Sequence, residues 1–173
     1  MTNAKSLVVG SIVRDLIVTT PRFPAKGETV LGSRYTTASG GKGANQAVQS
    51  ARSGAEVTMV GKVGRDAFGD AMLQSVGSSG VNVERVIRSE TEPSAVGNVQ
   101  IDVKDGQTNN RIIVVSGANM AITPEEVAFL KEEVAQYDMV ILQLEIPMEI
   151  NAIVARYAHE KGVPVMLNSA PYA

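Results

Sequence analysis

Short apolar runs alternate along the chain with stretches in which apolar side chains recur every third or fourth position. Ser6 to Gly10 (Ser-Leu-Val-Val-Gly) reads as a buried strand, and Leu16 to Thr20 extends the pattern in β-branched residues. From Gly41 the period changes: Ala44, Ala47, Val48 and Ala51 predict a small-residue helix that ends near Gly54. Val57 to Val60 is again strand-like. A second helix follows with Asp66 as its N-cap, Phe68, Met72, Leu73 and Val76 on one side, and Gly77 and Gly80 closing it. Val96 to Val103 and Arg111 to Val115 flank Lys104-Asp105-Gly106, whose Asp-Gly pair is a hairpin signal in a loop expected to exceed two residues.

The clearest helix start is Thr123-Pro124-Glu125-Glu126, which supplies a capping hydroxyl, a proline at the first helical position and a glutamate at the third. Val127, Leu130 and Val134 mark that helix's inner side. Met139 to Leu144 is a strand, Ile150, Ile153, Val154 and Tyr157 stripe a helix that stops at Gly162, and Val163 to Leu167 is the last strand. Near-continuous apolar strands separated by helices predict an α/β fold, a parallel sheet with helices on both faces, with the polar-alternating hairpins set apart. An interior-type strand six residues from the end leaves its edge uncovered, so the chain reads as unfinished; alternatively, Pro164 marks a true edge strand.

Composition narrows the function classes. The 173 residues are 44% hydrophobic and 20% charged, which suits one soluble domain with a sizeable core. Sixteen Lys plus Arg against eighteen Asp plus Glu leave a net charge of −2, so no nucleic-acid or anionic-membrane partner is signalled. The chain has no cysteine, which removes disulfides, thiolate metal sites and a cysteine nucleophile. With no spanning run and no signal-peptide pattern, the expected location is cytoplasmic.

The chemistry concentrates in Ser39-Gly40-Gly41-Lys42-Gly43-Ala44-Asn45-Gln46-Ala47. Its glycines allow close approach of a ligand, the helix start is expected to present free amides, and Lys42 and Asn45 add donors. Hydroxyls or anions would suit it. It is no Walker loop, because Gly43 stands where Ser or Thr is needed, and it lacks the dinucleotide spacing. Taken alone it is equally a plain helix start.

The run Gly40-Gly41-Lys42-Gly43-Ala44-Asn45-Gln46-Ala47, with Gly10-Ser11-Ile12-Val13-Arg14-Asp15 and Pro24-Ala25-Lys26-Gly27-Glu28-Thr29 before it, resembles the N-terminal half of a ribokinase-type (pfkB) carbohydrate kinase. Lys62-Val63-Gly64-Arg65-Asp66, Ser116-Gly117-Ala118-Asn119, Leu142-Gln143-Leu144-Glu145 and Leu167-Asn168-Ser169-Ala170-Pro171 agree in order. The resemblance implies a ribokinase-like sheet domain over residues 1–173, truncated, with a small β lid whose strands lie near 29–37 and 96–115. It places Asp15, Gly41, Lys42, Gly43, Asn45 and Glu145 around a sugar.

Asp15 and Glu145 would accept and Lys42 and Asn45 donate, the converging set a polyol needs. Read without the resemblance, Asp15 is a strand-end residue and Glu145 a surface charge. His159 and Asp70 read as solvated helix residues. Val13 occupies a slot where ribose-preferring relatives generally carry Asn; an isopropyl group there favours a sugar lacking one hydroxyl, as in deoxyribokinases. Ser169, where relatives often have Pro, changes only loop stiffness.

The family's catalytic Gly-Ala-Gly-Asp and its metal-supporting Asn-x-x-Glu segment belong to the C-terminal, nucleotide-binding half, absent here. The resemblance therefore implies ATP and Mg in the complete enzyme, neither fully bound by this chain. The expectation is the sugar-binding portion of a ribose or deoxyribose kinase, inactive alone, or a non-catalytic product that binds sugar weakly or acts by association. Self-association is expected through the lid or the exposed sheet edge.

Overall fold

A computed structural model describes residues 3–104 and 107–171. In chain order the strands are β1 (Lys5–Val9), β2 (Val13–Thr20), β3 (Arg34–Gly40), β4 (Glu56–Gly64), β5 (Val81–Asn82), β6 (Val86–Ser89), β7 (Ala95–Lys104), β8 (Gln107–Val115), β9 (Met139–Gln143) and β10 (Val165–Asn168). The helices are α1 (Lys42–Arg52), α2 (Ala67–Gly77), α3 (Pro124–Val127), α4 (Leu130–Glu133) and α5 (Met148–Glu160).

One sheet runs β10-β9-β1-β4-β5, with β6 also on β4, and every pairing in it is parallel. Alternation along β1 explains the double cover. Leu7 and Val9 join Val140, Leu142, Ile150 and Val154 on the α5 face, whereas Val8 joins Met59, Ile141, Ala44, Ala47 and Met72 under α1 and α2. Helices thus cover both faces, as the sequence predicts. The outer strand β10 is exposed along its length, with Val165, Met166 and Leu167 at 38%, 51% and 53%.

The second sheet runs β3-β2-β7-β8, antiparallel at both outer pairs and parallel between β2 and β7. Here the structure corrects several expectations. The apolar run at Leu16 to Thr20 starts at Val13 and lies in this lid sheet. The first lid strand spans Arg34–Gly40, not 29–37: the bond from Ser33 N–H to Thr19 O (2.8 Å) closes the turn before it, and Gly27 (φ 77°) and Gly32 interrupt the stretch ahead. Strands β7 and β8 pair down to Lys104↔Gln107, so two residues connect them, fewer than expected; the Asp105-Gly106 turn itself lies outside the described residues.

The expected helix after Thr123 breaks into α3 and α4 and ends in a 3₁₀ turn at Val134–Gln136, because the bonds at Ala128 and Lys131 slip to i→i−3. Its capping box forms, with Thr123 N–H donating to Glu126 Oε2 at 2.9 Å. Among the described residues no helix is long and apolar enough to cross a membrane.

Candidate functional site

The chain passes from the parallel sheet to the lid through Gly10, Ser11 and Ile12. Gly10 N–H donates to Val60 O (3.0 Å), which keeps the crossover beside β4. Buried Asn119 then takes both main-chain groups of Ile12, accepting from its N–H at 3.1 Å and donating to its carbonyl at 2.9 Å. That pair of hydrogen bonds fixes where β2 starts, and so where Asp15, its third residue, stands. Glu145 arrives from β9, which is the direct neighbour of β1. Ser11 and Glu145 therefore leave the carboxyl ends of adjacent parallel strands, where open α/β sheets bind ligands.

The start of α1 closes the site. Gly41, the single residue between β3 and α1, has φ 91°, and a Cβ on it would lie 2.9 Å from Ser11 O and 3.0 Å from Val13 N. Gly43 is packed as tightly, with a Cβ position 2.6 Å from Ser11 N. The helix therefore sits directly on the crossover. The amides expected to be free are occupied: Lys42 N–H donates to Glu145 Oε2 (2.8 Å), Gly43 N–H to Ser11 Oγ (3.3 Å) and Ala44 N–H to Ser11 O (2.9 Å). Ser11 Oγ itself donates to Glu145 Oε2 at 2.6 Å.

With no acidic residue in its own first turn, α1 takes its N-terminal counter-charge from Glu145, 103 positions away. An anion site at this helix start is thereby filled by the protein itself.

Burial pushes the Asp15 carboxyl above its ordinary pKa and the like charge of Glu145 pushes it further, against a smaller opposing pull from Arg14. Arg14 is turned toward β3, donating to Ser39 Oγ (3.3 Å) and to Thr37 Oγ1. Asp15 accepts no hydrogen bond from the described residues, and the Lys42 ammonium makes no ion pair among them. An acceptor pair, Asp15 and Glu145, and an uncommitted cation, Lys42, thus lie about one junction, all three partly buried.

The other expected residues divide. Val13 shares Asp15's face of β2, is 7% exposed and pairs with Gly40 and Ala95. Asn45 is exposed one turn into α1, lining a groove with Ser39, Arg52, Ser75 and Ser79. Gly43 is buried with its amide taken, so the structure gives it to helix packing instead of to a ligand. His159 is exposed at the end of α5; Asp70 is also exposed but pairs with Arg88 at 2.6 Å. Sequence reasoning missed Ser11 and Asn119. Both lie inside stretches that carried the resemblance, and no local pattern marked which atoms they would hold.

A family model described as "pfkB family carbohydrate kinase" matches residues 3–173. The chain is 44% identical over 167 residues to a ribokinase of Bacillus subtilis (strain 168), covering 95% of this chain and 55% of that protein. It is 33% identical over 164 residues to a deoxyribokinase of Salmonella typhi, covering 95% and 53%. The solved structure of Arabidopsis thaliana ribokinase complexed with ribose and ATP superposes with a TM-score of 0.85 at 33% identity, over 99% of this chain and 55% of that one. The chain spans about half the length of the curated relatives it matches.

Proposed function

This chain belongs to the pfkB family of carbohydrate kinases, and on that premise we propose that its 173 residues form the sugar-binding portion of an ATP-dependent pentose kinase acting on ribose or deoxyribose. Asp15 and Glu145 accept sugar hydroxyl protons. Lys42 donates; Gly41 and Asn45 join the set on the family resemblance, Gly41 where its missing side chain lets α1 seat on the Ser11 to Val13 crossover and Asn45 exposed one turn into α1. One observation carries the reading: Glu145 is pinned by Ser11 and Lys42 at the end of β9 and stands close enough to Asp15 to raise its pKa. Two neighbouring carboxylates with unspent acceptor capacity suit a polyol, whose hydroxyls supply the missing donors.

In the complete kinase a sugar hydroxyl attacks the γ-phosphorus of ATP, the bond to the β-phosphate oxygen breaks, ADP leaves, and a general base takes the hydroxyl proton. ATP and its Mg²⁺ supply the phosphoryl group and its charge compensation; the residues of this chain bind and orient the acceptor. No Gly-Ala-Gly-Asp segment occurs among these residues, so the chain alone is expected to bind sugar without transferring phosphate.

Ribose titrated into the purified chain by calorimetry should give saturable heat that Asp15→Ala removes. ATP-dependent phosphorylation should stay at the buffer level; turnover above it defeats the claim of inactivity. The exposed Val165, Met166 and Leu167 on β10 support a second component, association through this edge as well as through the lid. The cysteine-free composition suits a reducing cytoplasm.

A further inference from the structure

The chain's glycines differ in what a side chain at each would strike, and two kinds bear on the site. At Gly43, Gly61 and Gly117 the nearest atoms are backbone, such as Ser11 N at 2.6 Å from the Gly43 position and Gly10 O at 2.6 Å from that of Gly61. Such glycines hold elements together, because backbone cannot yield cheaply. Gly40 and Gly97 are different. At Gly40 all three nearest atoms belong to the carboxyl group of Asp15, with Oδ2 well inside contact distance and Cγ at 3.4 Å. At Gly97 the nearest is Asp15 Oδ1, also well inside contact, then Asp15 Cγ at 3.5 Å and Val13 Cγ1 at an ordinary 3.7 Å.

Both glycines lie in strands flanking β2, Gly97 opposite Asp15 itself and Gly40 opposite Val13. Neither is among the positive-φ glycines, so their backbone conformations do not ask for glycine. Glycine within a strand weakens it, lacking side-chain packing and costing extra entropy on folding. A feature that the backbone does not need and the strand would be better without calls for another cause, and the only group crowding both positions is one carboxylate.

We infer that Gly40 and Gly97 are positioning residues, together forming a slot across the lid sheet in which the Asp15 carboxylate lies with one oxygen over each neighbouring strand. The inference rests on the sugar-site reading for its purpose, not for its geometry. A methyl group at either glycine meets the free end of a side chain, so the sheet stays and Asp15 turns away. The slot thus sets the direction in which Asp15 offers its oxygens and keeps it within the field of Glu145, whose charge raises its pKa.

The test uses the 173-residue chain and the variants Gly97→Ala, Gly40→Ala and Asp15→Ala/Gly97→Ala. Three readouts are taken: a carboxyl ¹³C NMR titration of Asp15, ribose titration by calorimetry, and urea unfolding. Both single variants should unfold at a urea concentration no lower than the parent's, move the Asp15 midpoint down toward its ordinary value, and bind ribose about tenfold to a hundredfold more weakly, the loss of a charge-assisted hydrogen-bond partner. Gly77→Ala, where the nearest outside atom is 3.7 Å away, should leave the Asp15 midpoint and the ribose affinity unchanged.

An unmoved Asp15 midpoint, or undiminished ribose binding in folded Gly97→Ala, overturns the inference. If Gly97→Ala is destabilised, recovery in the double variant supports the slot, because only Asp15 then stood in the way; no recovery overturns it. If the parent binds no ribose the sugar-site reading fails, and the Asp15 titration still decides the slot by itself.

Discussion

Two aspartates at the junction between the sheets, Asp66 and Asp15, meet opposite fates. Asp66 caps α2 and accepts from Gly69 N–H (2.8 Å), Ser94 N–H (2.8 Å) and Ser94 Oγ (2.7 Å). Burial alone would raise its pKa, but these donors outweigh burial and hold the carboxyl below its ordinary value. Among the described residues Asp15 has no such donors, and burial and Glu145 raise it. The glycines beside them differ in the same way. A Cβ at Gly64 would strike Pro93 C at 2.8 Å as well as the Asp66 carboxylate, whereas Gly40 and Gly97 crowd only Asp15. A carboxylate saturated by its own chain fastens the lid to the sheet; one left short of donors keeps acceptor capacity for a molecule that brings them.

Removing each acid is the strongest way to break that contrast. Asp15→Ala should weaken ribose binding by about a hundredfold or more while leaving urea stability unchanged or higher, since a charge unfavourably placed is gone. Asp66→Ala should do the reverse. It orphans the Ser94 amide and uncaps α2, costing about 2–4 kcal/mol of unfolding free energy, and the folded fraction keeps its ribose affinity. If the stability loss falls on Asp15→Ala instead, the assignment of roles is wrong.

Gly64→Ala should follow Asp66, lowering stability by about 1–3 kcal/mol through overpacking against Pro93 and Ser94. Urea midpoints compared with those of Gly97→Ala read the difference directly: a loss in both variants would erase the distinction between the two kinds of glycine.

The legible part of the molecule was the part with a period. Leu7, Val8 and Val9 read as a strand buried on both faces because all three are apolar, and the Ile150, Val154 stripe read as a helix because its spacing fits 3.6 residues. Strand β2 has no such pattern, being partly buried at six consecutive positions from Arg14 to Thr19, and its sheet is chosen by Asn119 holding Ile12 across 107 residues. In the site, Asp15, Lys42 and Glu145 came from motif resemblance, and the structure brings them to one junction. That Glu145 fills the start of α1 depends on a bond spanning 103 positions. Nothing local to Gly40 or Gly97 could announce a carboxylate arriving from another strand.

A smaller effect is expected at Val13, which lies on the face of Asp15 beside Gly97. An isopropyl group offers a sugar hydroxyl no partner, so the parent should bind 2-deoxyribose at least as well as ribose. Val13→Asn should move the affinity ratio toward ribose by about tenfold. Competition between the two sugars, followed by NMR of the chain, measures it. A clear ribose preference in the parent would defeat the specificity role of Val13 and leave the carboxylate pair untouched.

The mildest test is pH, because both acids are only partly buried and solvent screens them. The folded pKa of Asp66 is lowered, so its contribution to stability is present above the unfolded value and is lost as pH falls through the folded one. The folded pKa of Asp15 is raised, so the native state holds more protons than the unfolded chain, and stability declines as pH rises from the ordinary value through the raised one. Unfolding free energies of Asp66→Asn and Asp15→Asn, each subtracted from the parent across about pH 3 to 7, should therefore slope in opposite directions. Ribose affinity should climb over the window in which Asp15 ionises, since the carboxylate is the stronger acceptor of hydroxyl hydrogen bonds. Glu145→Gln removes the neighbouring negative charge and should shift that climb to lower pH. Two difference curves of the same sign would mean that Asp15 is as well satisfied as Asp66 and is not held for a ligand.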